Sequence, residues 1–256
     1  MSEVITSGAT IAGPRHTARR FTTRPGDHRF FSAMAIVSSL TIVAGFFNTY
    51  GPKVMTGQPA LPNIIHVHAV VFSSWLIVFV AQTTLVLGGR TDLHRRLGAA
   101  SMVLAVLMLV VGVTTAITSA RLGHRGIPGV EFRDVEGFLL LNIAAISVFA
   151  ILVAAAWYFR RNAQVHKRLM LMSATGALVG PGVSRLPFFS GNTPAIAMLV
   201  LAFLFAGPAY DLITRRRIHP AYIWAVLLSF LTVPPIVALL SSTAAWRSFA
   251  ALLMRS

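Results

Sequence analysis

Three of the eight histidines follow an arginine by four or five residues, each at a junction between two long apolar stretches. The junctions are 85–98 (LVLGGRTDLHRRLG), 157–170 (WYFRRNAQVHKRLM) and 212–224 (LITRRRIHPAYIW), with Arg90 before His94, Arg161 before His166 and Arg215 before His219. Three imidazoles at one depth could bind a transition metal, and two could hold a haem iron from opposite sides. The surrounding charge discriminates between these. Arg95, Arg96, Lys167, Arg168 and the run 215–217 crowd this layer, and helix N-termini add positive potential that repels a bare divalent cation and attracts an anion. A haem offers iron to the histidines and propionates to the arginines. The expected ligands are therefore His94 and His166, with Arg95 and Arg168 beside them. The competing reading makes all three histidines interfacial residues among headgroup-binding arginines.

A second set of polar groups lies on the apolar run 64–87. His68, Phe72, Trp75, Phe79 and Gln82 recur at spacings of four and three and form one helical stripe. The stripe is about 21 Å long, and its His and Gln should face the bundle interior because lipid offers them no hydrogen bonds. It reads either as a ligand or proton site ending at His68 or as a hydrogen-bonded core histidine packed by aromatics. His66 and His68 point about 200° apart on a helix, so they do not share an ion. His68 and His94 are separated by the length of the stripe, and the runs 135–158 and 169–189 offer His68 no second histidine.

Two further charges need partners. Arg185, near the far end of the run 169–189, is expected to pair with Glu131, Asp134 or Glu136, with an anionic ligand as the alternative. Asp211 is expected to neutralise part of the basic layer around His219. Cysteine is absent, which excludes disulfides, iron–sulfur clusters and thiolate zinc sites. A Ser–His–Asp order, a nucleotide-binding glycine loop and HExxH are also missing, which disfavours an intramembrane hydrolase.

The elements that position these residues follow from composition. With 55% hydrophobic and 11% charged residues, the chain reads as an integral membrane protein. Seven apolar runs are long enough to span: 30–50, 64–87, 97–120, 135–158, 169–189, 195–213 and 221–240. They are continuous, without the period-two alternation of a barrel, so the expected class is all-α, one helix followed by three hairpins. If the N-terminus is cytoplasmic, 15 of the 22 basic residues lie on that side, which places the N-terminus in and the C-terminus out. The net charge of +15 is then a topology signal and a contact with anionic lipid rather than a nucleic-acid footprint.

The expected organisation is a disordered basic tail over 1–29, a transmembrane domain over 30–242 and a short outer segment over 243–256. No cleavable signal peptide is expected, since the leader is polar and the first apolar run is long. Gly176 and Gly180 should allow close helix approach, with kinks near Pro181 and Pro234–Pro235.

The motifs His94–Gly98 (HRRLG) and His166–Met170 (HKRLM), with Arg185-Leu186-Pro187 following, resemble those of bacterial multi-helix membrane proteins of unknown function. In that group an HRxLG motif opens one helix, and an HRRWM-like motif opens another that ends in an arginine. The likeness covers the second to fifth runs, about half the chain. Histidines at helix ends near HR-G sequences also look remotely like those of cytochrome b561-type proteins. That likeness implies haem b, electron transfer and a membrane redox partner in a bacterial inner membrane. A small permease or lipid-interacting protein without a redox centre is the alternative.

Overall fold

The computed structural model describes residues 21–127, 130–189, 191–232 and 234–255. Helix α1 (Pro25–Thr56) begins with proline at its first position and ends at Gly57, whose φ of 68° lies in the left-handed region that favours glycine. Residues 1–20 of the expected tail lie outside the described residues. Its remainder is not a tail, since Phe21–Arg29 pack onto the bundle and α1 starts five residues before the expected first run.

Helices α2 (Asn63–Leu87) and α3 (Thr91–Arg121) form a hairpin closed by Gly88-Gly89-Arg90, with Gly89 at φ 73°. A two-residue antiparallel ladder, β1 (Gly126–Ile127) with β2 (Val130–Glu131), precedes α4 (Val135–Tyr158). Asp134 caps α4 by accepting from the Gly137 amide at 2.8 Å. The next helical path is broken into α5 (Ala163–Met172), a π-helical segment (Ser173–Leu178) and α6 (Val179–Val183). Helix α7 (Thr193–Arg215) follows, capped by Asn192. Then come α8 (Pro220–Ser229), a 3-10 turn (Phe230–Thr232), α9 (Pro234–Ser241) and α10 (Ala244–Arg255).

Among the described residues, five helices, α1 to α4 and α7, are long and apolar enough to cross a membrane. The path from α8 to α9 passes the same test as one span bent by 54° at the expected Pro234–Pro235 break. The chain is a multi-pass helical membrane protein. The broken path α5–α6 is its centre, with Leu171, Met172, Ser173, Ala174, Thr175, Val179 and Val183 buried against α1, α4, α7 and α8.

The close helix approach does not fall at Gly180, which has open space around it. It falls at Gly182 and Gly45. A Cβ on Gly45 would lie 2.0 Å from the Gly182 carbonyl oxygen, so α1 and α6 touch backbone to backbone. Gly176 does serve an approach, to Ser229 of α8. The C-terminal segment forms α10, which lays Ala250 and Trp246 against α3 and α4, and the Trp246 indole donates to the Glu136 carbonyl at 3.0 Å.

Candidate functional site

His94 lies in the first turn of α3, held by the Gly-Gly turn that ends α2, and its amide donates to the Arg90 carbonyl at 3.1 Å. His166 lies in the first turn of α5, where Asn162 caps the helix through the Gln164 and Val165 amides. The fold brings these two half-buried rings, 72 positions apart in sequence, to a centroid separation of 6.1 Å with planes at 80°. His166 Nδ1 is 2.9 Å from the Ala156 carbonyl oxygen and must donate to it, which leaves the lone pair on Nε2.

His94 Nδ1 is held from the end of the α2 stripe. The Gln82 amide lies 2.5 Å from it. With its nitrogen toward His94, Gln82 donates to Nδ1 and to the His94 carbonyl (3.1 Å) and accepts from the Gly98 amide at 2.7 Å. That orientation puts the His94 proton on Nε2; rotating the amide by half a turn would let its oxygen accept from Nδ1–H and free the Nε2 lone pair, at the cost of setting that oxygen against the His94 carbonyl and the amide nitrogen against the Gly98 N–H. Gln82 thus selects the His94 tautomer. Arg95 is exposed beside this pair.

The third junction histidine is elsewhere. His219 caps α8, its Nδ1 accepting from the Ala221 amide at 3.1 Å, and its ring meets the Phe21 ring at 4.5 Å. Burial, assisted by the nearby Arg168 charge and opposed by Asp211, pushes its imidazole down to about 4, so the neutral form that the cap requires is maintained.

Arg168, expected beside the cofactor, is fully buried and committed to structure. Its Nε and Nη2 donate to the two Asp211 oxygens at 2.8 and 2.7 Å, and Nη1 donates to the Gln164 carbonyl and side-chain oxygens. Four of its five N–H groups are thereby used. Asp211 also accepts from Arg215 Nη1 and the His219 amide, both at 3.3 Å. A second carboxylate completes the network: Asp27 of α1 takes Lys167 at 2.5 Å, Arg215 at 2.6 Å and the Tyr210 hydroxyl at 3.1 Å. Two buried carboxylates and three cations therefore tie α1, α5 and α7 together, with the start of α8 attached through His219.

Sequence reasoning missed Asp27 and Tyr210, and it placed Lys167 in the basic layer without its carboxylate partner. The available signal was scarcity. The chain has only seven acidic residues, and Asp27 stands among five arginines next to the first span.

The rest of the α2 stripe does face inward. Phe79 packs against Ala35 and Ala174, Trp75 meets the Phe149 ring at 5.1 Å edge-on, and His68 stacks on Phe72 at 3.8 Å. Trp75 Nε1 and His68 Nδ1 are buried and have no hydrogen-bond partner among the described residues. His66 turns away from His68 and meets the Tyr50 hydroxyl at 2.8 Å.

The pairing expected for Arg185 is replaced by another arrangement. Its guanidinium donates to the Pro181 carbonyl at 2.8 Å and lies over the Phe46 ring at 4.6 Å. Glu131 instead pairs with Arg125, and Asp134 is used as the α4 cap. The physical reason is the break in the fifth helical path. The chain leaves α6 at Val183, which turns Arg185 back onto α1 rather than toward α4.

Comparison with protein-family models, with curated proteins and with solved structures finds no match to this chain.

Proposed function

We propose that this chain is a seven-span protein of a bacterial inner membrane that holds a b-type haem between His94 and His166. The broken path α5–α6 serves as the fifth span in this reading, and the N-terminus is cytoplasmic by the distribution of basic residues. The observation that carries the proposal is the approach of the two imidazoles to a centroid separation of 6.1 Å. Two metal–nitrogen bonds of about 2 Å plus the half-widths of two rings require a centroid separation of roughly 6 Å, and the rings stand 6.1 Å apart.

His166 carries its proton on Nδ1, which leaves Nε2 for iron. His94 would ligate through Nε2 only after its proton moves to Nδ1 and the Gln82 amide turns, giving up its bonds to the His94 carbonyl and the Gly98 amide. Haem ligated in this way supplies one-electron exchange, which suits electron transfer with a membrane redox partner or assembly of a respiratory enzyme.

The chain's own residues have separable roles. Ala156 and Gln82 orient the two rings. The exposed Arg95, Arg96, Arg160 and Arg161 supply positive charge for propionates at the same end and for anionic lipid headgroups. Arg168 is excluded from that role by its pairing with Asp211.

A second reading, a small permease without a redox centre, is favoured by the interrupted helices α5–α6 and α8–α9 and by the unpartnered polar atoms on α2. The visible spectrum of protein purified from haem-replete cells separates the two. A Soret band that disappears in both His94→Ala and His166→Ala supports haem, whereas a colourless wild-type preparation supports the permease.

A further inference from the structure

At the end of the bundle opposite the His94–His166 pair lie a cation and two unpartnered polar atoms, without a counter-charge among the described residues. Arg185 follows α6 by two residues, is half-buried, and has no carboxylate within 4 Å among the described residues. One of its N–H groups is used by the Pro181 carbonyl, and the Phe46 ring covers the guanidinium on one side.

His68, in the second turn of α2, lies at the level of Arg185: Phe46, which the guanidinium covers, is one turn of α1 from Tyr50, and the Tyr50 hydroxyl meets His66 of α2 at 2.8 Å. Its ring is fixed by stacking on Phe72, and its Nδ1 is buried without a partner. Thr115 Oγ1, near the same end of α3, is also buried and unsatisfied. Phe72 itself packs at Gly112, one turn from Thr115, which places the α2 and α3 groups on facing surfaces.

An uncompensated cation and unsatisfied polar atoms inside a membrane bundle are each costly. One occupant relieves both. An anionic oxygen can accept from the free guanidinium N–H groups and from a His68 N–H or the Thr115 hydroxyl. A cation cannot, because Arg185 repels it. An apolar molecule leaves every donor unsatisfied.

We infer that Arg185 and His68 form a binding site for an oxyanion, either a carboxylate or a phosphate group. The site is independent of any haem at the other end. Its chemistry is shared by a free anion and by a phospholipid headgroup, so the test has an arm for each.

Delipidated protein in an uncharged detergent is titrated with sodium acetate or inorganic phosphate at constant ionic strength set with sodium chloride, and the thermal unfolding midpoint is read. In parallel, midpoints are compared in nanodiscs of phosphatidylcholine alone and with phosphatidylglycerol added. The site predicts a saturable rise in midpoint with at least one of these oxyanions over chloride. A response to acetate or inorganic phosphate identifies a free anion; a response to phosphatidylglycerol alone identifies a headgroup.

Arg185→Gln should abolish the rise, and His68→Phe, which keeps the stacking shape, should weaken the apparent affinity by at least tenfold. Arg185→Lys keeps the charge if the Gln variant does not fold, and should also weaken the response by losing the guanidinium fork. No saturable rise in any arm, or a full response in Arg185→Gln or Arg185→Lys, overturns the inference.

Discussion

Replacing Asp211 with asparagine removes the charge that holds the most deeply buried cation among the described residues. Arg168 has no exposed surface, and two of its N–H groups reach Asp211 at 2.7 and 2.8 Å. Asp211→Asn keeps the shape but leaves the guanidinium facing an amide that accepts only through its one oxygen, turns a donor toward the second N–H and carries no charge. Breaking one side of a buried ion pair typically costs about 3–5 kcal/mol. At roughly 2–4 °C per kcal/mol for a chain of this size, the unfolding midpoint should fall by about 6–20 °C.

The assay is thermal unfolding in detergent, with Arg168→Met and the double variant Arg168→Met/Asp211→Leu alongside. Replacing both partners by apolar groups removes the stranded charge, so the double variant should be markedly more stable than Asp211→Asn. A loss of under about 1 kcal/mol in Asp211→Asn, far below the usual cost of stranding a buried charge, would refute the reasoning. So would a double variant that loses the sum of the two single effects.

Gly45→Ala should destabilise by about 1–3 kcal/mol or more, because its Cβ would lie 2.0 Å from the Gly182 carbonyl oxygen, whereas Gly180→Ala, with open space, should be neutral or slightly stabilising. Equal midpoints for the two variants would contradict the α1–α6 contact. His219→Asn keeps a capping oxygen while removing a titrating group. The folded imidazole is held at about 4 against 6.5 when unfolded, so its neutral state contributes fully above 6.5 and that contribution is lost as pH falls toward 4. The variant's midpoint relative to wild type should therefore rise across this window, and a difference independent of pH would count against the buried neutral cap. Gln82→Leu removes the group that orients His94 and should weaken haem retention by about 10–100-fold, read by competition with apomyoglobin. Unchanged retention would remove Gln82 from the site.

Much of the bundle was legible because a membrane span declares itself locally. Runs such as 64–87 and 135–158 coincide almost residue for residue with α2 and α4. The fifth path was less legible. Gly176, Gly180 and Pro181 signalled weakness, but the sequence does not show that the helix widens to π geometry before Pro181 and ends at Val183. That early end is why Arg185 turns to Phe46 rather than to the acids of 131–136.

Depth along the membrane normal could be counted from the sequence, which placed His94, His166 and His219 in one layer. Which of them face one another depends on how α3, α5 and α8 rotate and pack, and this brought two together while His219 became a cap. Asp27 was hidden for a different reason. Its basic neighbours made it look like part of a solvated tail, although a lone acid beside a span is well placed to gather the surplus arginines.

The central claim rests on both imidazoles reaching one iron. Low-temperature electron paramagnetic resonance of the oxidised protein, purified from haem-replete cells, tests it most directly. The account predicts a low-spin ferric signal of bis-imidazole type in the wild type, converted to high spin or lost in both His94→Ala and His166→Ala. Absence of haem from the wild type, or a low-spin signal that persists in His166→Ala, would contradict it.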